Sequence, residues 1–106
     1  MGAEAVTQAG PQVDPQVDPQ ADAEQAQCLL LHQTLRQAAR SRLDDVARPL
    51  AITDLSLVFS AAPQGLLQAR GQVTGGGRSV CFCEAELFDE AQRLVARAMG
   101  TFRYQR

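Results

Sequence analysis

Few side chains in this sequence could do chemistry, and their spacing narrows what that chemistry could be. His32 is the only histidine. No acid or thiol stands beside it, so it makes no acid–base constellation by itself. Asp44 and Asp45 are adjacent carboxylates, the residue type that serves as a general base. Arg40 and Arg48 stand one helical turn to either side of Asp44, so a solvated face of paired charges is the plainer reading. Cys28, Cys81 and Cys83 are odd in number, which makes a poor disulfide framework. Cys81 and Cys83 would share one face of a strand with Cα atoms ~6.5–7 Å apart, at the limit for a disulfide. Two thiols and a distant histidine are too few for zinc, so no metal site is expected. Small buried hydrophobes describe these cysteines better. Gly75-Gly76-Gly77-Arg78 is either a flexible hairpin loop or a phosphate contact. It is not a P-loop, because no Gly-Lys-Ser/Thr follows and no helix starts there.

Composition excludes several classes. The chain has 106 residues, enough for about one domain. Ten basic residues, all arginine, against twelve acidic ones leave a net charge of −2. No basic excess is present to neutralise a phosphate backbone, so nucleic acid is not an expected partner. No apolar run approaches the ~18 residues of a membrane span, and no secretory leader is visible. With the unpaired cysteines, this predicts a soluble chain in a reducing compartment, most simply the cytoplasm.

The elements that must position these residues follow from periodicity. Residues 1–22 carry Pro-Gln-Val-Asp at Pro11–Asp14 and Pro15–Asp18, with a degenerate copy at Pro19–Asp22. Proline at every fourth residue removes backbone donors and predicts a disordered tail over 1–22. A folded domain is expected over 23–106. Asp22, with Gln25 three residues on, resembles a capping box. Leu31, Leu35, Ala39, Leu43, Val46 and Leu50 then step by three or four residues, which predicts one amphipathic helix ended by Pro49. Beyond it the pattern alternates. Leu55, Leu57 and Phe59 mark one strand face; Leu67, Ala69, Gly71 and Val73 mark another. Third and fourth strands are expected over about 78–88 and 94–104. Short loops imply antiparallel neighbours, so the fold class is α+β, one helix packed on a four-stranded antiparallel sheet.

Parity tests the last two hairpins. With Glu90 and Ala91 at the tip, Leu87 faces Leu94, Phe82 faces Met99 and Glu84 faces Arg97. With Thr74–Arg78 as the middle loop, Val73 faces Ser79, Gly71 faces Cys81 and Ala69 faces Cys83. Both registers put Cys81, Cys83, Ala85, Leu87, Leu94, Ala96, Ala98, Gly100 and Phe102 on one face. These are mostly small side chains, and they are expected to cradle the helix. Val80, Phe82, Phe88, Val95 and Met99 fall on the other face among charged residues, a pattern expected of an oligomer surface.

Several runs together resemble hotdog-fold thioesterases of the PaaI type. They are Leu55-Ser-Leu-Val-Phe59, the Pro-Gln-Gly turn, Leu67-Gln-Ala-Arg-Gly-Gln-Val73, Gly-Gly-Gly-Arg-Ser79, Glu84-Ala-Glu86 and Arg93 through Phe102. The resemblance covers roughly Ala51–Arg106. It implies a long central helix wrapped by an antiparallel sheet, assembly into homodimers or homotetramers, and hydrolysis of acyl-CoA thioesters without a cofactor. In that family a carboxylate on the helix acts as base or nucleophile. Backbone N–H groups at the start of the partner's helix, usually in a His-Gly-Gly segment, polarise the thioester carbonyl. Carried onto this chain, His32 would precede those donors, and Gly76, Gly77 and Arg78 would lie near the CoA, with Arg78 on a phosphate.

The chain departs from the family pattern at the helix. Gln33 and Thr34 follow His32 in place of two glycines, and their Cβ atoms obstruct a close backbone approach. Ser41 stands where the acid is expected, and Asp44 and Asp45 come one turn later. The strand that usually precedes the helix is replaced by the proline-rich tail. Either the helix is shifted and Asp45 or Asp44 serves as base, Asp45 being preferred because it lies off the arginine row, or the usual apparatus is absent. The second case is a non-catalytic hotdog subunit that binds acyl-CoA or only assembles. A partial or rearranged thioesterase sequence is a third reading.

Overall fold

The structure is a computed structural model, and it describes residues 19–43 and 48–105. Helix α1 spans Pro19–Arg40 and is followed by strands β1 (Leu50–Phe59), β2 (Gln68–Gly76), β3 (Val80–Phe88) and β4 (Leu94–Tyr104). The strands form one antiparallel sheet in the order β1-β4-β3-β2, so β1 and β2 are its edges. The tail expected over 1–22 lies outside the described residues up to position 18.

Both ends of α1 differ from the periodicity. The helix begins at Pro19, so Pro19–Asp22 form its first turn. Proline is tolerated there because its missing N–H would have no intrahelical acceptor. Asp22 is thereby in the first turn, where a negative charge suits the helix dipole. At the other end the helix stops at Arg40, short of Val46. The Ser41 hydroxyl donates to Ala38 O at 2.6 Å. Arg42 N and Leu43 N bond Ala39 O and Arg40 O at 3.3 and 2.9 Å, which tightens the last turn to three-residue spacing. The buried Tyr104 hydroxyl takes Ala39 O at 2.9 Å. Leu43 and Leu50 still pack on the core, from outside the helix. The arginine row reaches carbonyls instead: Arg36 donates to Leu50 O at 3.0 Å and Arg40 to Arg48 O at 3.3 Å. The expected pairs through Asp44 lie outside the described residues.

The core is the seam between α1 and the sheet. Leu31, Leu35 and Ala39 are fully buried along one helical row. Of the nine side chains expected to cradle the helix, eight are buried and Leu94 is half-buried. Each large apolar side chain placed here contributes ~1.5–3 kcal/mol. Small partners set how near the helix can lie: a Cβ on Gly71 would sit 2.8 Å from Thr34 Cγ2.

Parity holds while the offsets shift. Leu87 pairs with Ala96, Phe82 with Thr101 and Glu84 with Met99, so β3 and β4 are displaced by two residues. Arg97 consequently pairs with Glu86, at 3.3 Å. The cause is the turn: Asp89 N bonds Arg93 O, Gln92 N bonds Asp89 O, and Gln92 takes a left-handed φ of 65°. Between β2 and β3 the displacement is four, with Ala69 opposite Leu87, Gly71 opposite Ala85 and Val73 opposite Cys83. Here β2 runs on through Gly76, and Gly77 N closes the hairpin on Val80 O at 2.8 Å. Val95 corrects the expected outer face. It is fully buried, and the chain leaving β1 runs along it, with Ser60 N and Ala61 N both bonding Val95 O.

Candidate functional site: a groove beside the helix

Gln27 is the polar exception on the buried row of α1, four residues ahead of Leu31. It is 3% exposed, and its Oε1 has no hydrogen-bond partner. An unpaired buried amide oxygen costs ~1–3 kcal/mol, so its position calls for a reason. Gln27 lines a cavity of about 630 Å³ between the first half of α1 and the chain leaving β1. Ala23 and Glu24 line it from the helix; Phe59, Ser60, Ala61 and Pro63 line it from the other side. An amide, a carboxylate and a hydroxyl therefore face a largely apolar cleft, the make-up of a small-molecule site. A carboxylate there can take a proton from water, and an amide and a hydroxyl can orient a carbonyl.

The outer wall is held from behind. Arg93 donates to Ala62 O at 3.0 Å, and Gln64 N donates to the Asp89 carboxylate at 3.1 Å. That carboxylate also accepts from Ala91 N, Arg93 N and the Arg93 guanidinium, the last at 3.0 Å. Burial pushes the Asp89 carboxyl up. The N–H groups of Arg93 and Gln64 and the Arg93 guanidinium outweigh burial, and the group is held below its ordinary range.

A second cluster closes the far end of α1. The exposed Arg42 guanidinium reaches Gly75 O, Gly77 O and Val80 O at 3.3–3.5 Å and lies 5.9 Å from the Tyr104 ring centre. Beneath it Cys81 and Cys83 place their Sγ atoms 3.5 Å apart. Burial, then the hydrogen bond to Cys81, push the Cys83 thiol up to about 12; burial and the same neighbour do likewise to the Tyr104 phenol.

The described residues among those singled out from sequence, His32, Gly76, Gly77 and Arg78, are not brought together. His32 is half-buried in the middle of α1 with Nε2 unpartnered, and the N–H groups of Gln33 and Thr34 belong to the helix interior. Helix-interior donors are already committed to carbonyls one turn back. Gly76, Gly77 and the exposed Arg78 lie by the C-terminal end of α1, next to Arg42 in the turn that follows, roughly 20 Å along the axis from Gln27. Asp44 and Asp45 lie outside the described residues. Sequence reading missed Glu24, Gln27 and Ser60. The available signal was a glutamine in step with an apolar row. Among the described residues no three metal-ligating side chains gather, and no helix is long and apolar enough to cross a membrane.

No family model matches the chain, and no curated protein sequence does. Solved structures do. A Bacillus halodurans protein crystallised with CoA superposes with a TM-score of 0.66 at 19% identity, over 72% of this chain and 54% of that one. A phenylacetic acid degradation-related protein from Ralstonia eutropha JMP134 gives 0.65 at 28% identity, over 73% and 58%. Thioesterase superfamily member 2 of zebra fish gives 0.63 at 19%, over 73% and 56%. The chain spans little more than half the length of these three. One helix on a four-stranded antiparallel sheet, superposing on these proteins, is a hotdog fold.

Proposed function

We propose that this chain hydrolyses acyl-CoA thioesters as one subunit of a homo-oligomer. The observation that carries the reading is the cleft of about 630 Å³ with the unpartnered, buried Gln27 amide oxygen in its lining. Glu24 is the carboxylate that lines the cleft, and in this reading it is a general base. It takes a proton from water, the hydroxide adds to the thioester carbon, and the intermediate expels the CoA thiolate, which is then protonated. The Ser60 hydroxyl donates to the thioester carbonyl, and the Gln27 amide oxygen accepts from the attacking water and orients it. Asp45 and Asp44 are the alternative bases, and Gly76, Gly77 and Arg78 are the proposed contacts for the CoA phosphates. The chain similar to a CoA-bound protein is consistent with that ligand.

The specific observation favouring a second reading is the place of His32. Its following N–H groups lie inside the helix, so this segment supplies no oxyanion donors. A hotdog subunit that binds acyl-CoA without cleaving it would have this feature.

Purified protein offered a panel of acyl- and aryl-CoA esters, with free thiol followed, separates the two. The hydrolytic reading expects thiol release that Glu24→Gln lowers by about a hundredfold or more. If Asp45→Ala or Asp44→Ala abolishes release and Glu24→Gln does not, the base is reassigned. Saturable ester binding without release establishes the second reading. Neither release nor binding overturns both.

A further inference from the structure

The proposed hydrolysis makes no use of the two thiols buried between the helix and β3. Cys81 and Cys83 are 0% and 2% exposed, and their sulfurs lie 3.5 Å apart. We propose that they form a dithiol site that captures trivalent arsenic by bridging it between the two sulfurs.

The spacing argues against the simpler product, a disulfide. Side chains two residues apart on a strand spring from points ~6.5–7 Å apart, whereas a disulfide needs Cβ atoms ~3.5–4.5 Å apart. Closing that gap would tear β3 from both neighbours. Cys81 and Cys83 pair with Gly76 and Val73 on one side and with Phe102 and Gly100 on the other. A bridging atom needs no such movement. With bonds to sulfur of ~2.3 Å, a linear centre sets its sulfurs ~4.6 Å apart and a tetrahedral one ~3.8 Å. A pyramidal centre with angles near ~100° sets them ~3.5 Å apart, the separation present before anything binds. A tetrahedral metal would also need two further ligands, and the described residues offer no group of three.

Charge selects in the same direction. The Arg42 guanidinium sits against Cys81, which disfavours a free divalent cation and tolerates a neutral adduct. Arg42 is also the exposed cover of the pair, and its carbonyl contacts of 3.3–3.5 Å are long enough to yield readily. With arsenous acid the step balances. Two sulfur–arsenic bonds form and two arsenic–oxygen bonds break. The two thiol protons leave with the displaced hydroxides as two waters, and one hydroxyl stays on arsenic. Arsenic remains trivalent, so no oxidant or reductant takes part.

The test is arsenite added to the native chain, read by intact-mass spectrometry and by arsenic X-ray absorption. One adduct per chain is expected, with a first shell of two sulfurs and one oxygen. Cys28→Ser should keep both features, and Cys83→Ser should lose the adduct. Should Cys83→Ser not fold, the absorption spectrum of Cys28→Ser decides alone. An oxygen-only or single-sulfur shell in that variant overturns the proposal, as does an adduct that survives in folded Cys83→Ser. Thioester turnover enters neither readout, so the proposed hydrolysis stands or falls separately.

Discussion

Two single residues shape the region where α1 ends. Tyr104 donates from a buried hydroxyl to Ala39 O. Tyr104→Phe removes the shorter of the two bonds to that carbonyl and leaves it only Arg42 N at 3.3 Å, and urea titration should show a loss of about 0.5–1.5 kcal/mol. Gly76 has a φ of 137°, and a Cβ there would lie 2.5 Å from Val80 O and from Arg42 Nη1. The carbonyl is backbone and cannot step aside. Gly76→Ala should cost about 1–3 kcal/mol in the same titration; a variant as stable as the parent would contradict the hairpin geometry. At this scale the sequence was least informative. Glu24 and Gln27 read as the opening of a helix and Ser60 as the end of a strand. What joins them is the path of the chain from β1 past Val95, a tertiary fact with no local signature. Gln27 alone left a trace, as a polar residue in step with Leu31, Leu35 and Ala39.

The elements were far more legible, because periodicity records which face is buried. Alternation assigned the helix-facing side of β3 and β4 correctly, and a register error of an even number of residues leaves that side unchanged. The offsets themselves depend on turn length. The turn after β3 is built on the Asp89 carboxylate and a left-handed Gln92, and neither is visible in an apolar pattern. The helix end was misplaced for a like reason: Ser41 and Tyr104 draw the last carbonyls away from helical bonding while the apolar stripe continues. The small residues of β3 and β4 make the helix–sheet seam, and Ala98 is 1% exposed within it. Ala98→Leu should force the layers apart and cost about 1–3 kcal/mol by thermal or urea unfolding. Val58→Leu, on the exposed side of β1, should cost almost nothing by comparison.

Seen whole, the molecule is unevenly covered. Helix α1 packs on β2, β3 and β4 and barely reaches β1. Leu55 and Phe59 are left 41% and 43% exposed on the helix side of an edge strand, with Leu29 of the helix 57% exposed. The proposed oligomer would cover this flank. Sedimentation of the purified chain should then report a dimer or larger species, and Leu55→Arg, which leaves the cleft lining intact, should reduce it to a monomer. A parent protein that sediments as a monomer would refute that assembly.

The bond network behind the cleft has a consequence for the molecule in acid. Asp89 titrates below its unfolded value of 3.8, so its stabilising contribution is present above that pH and fades as pH falls through the folded value. What Asp89 fastens is the strip through Ala62 and Gln64, a flap outside the sheet ladder. Acidification below 3.8 should therefore spring this latch while the four strands stay zipped. Ligand affinity should fail at a higher pH than backbone circular dichroism, and Asp89→Asn, unlatched from the start, should show weak affinity with little further change across that interval.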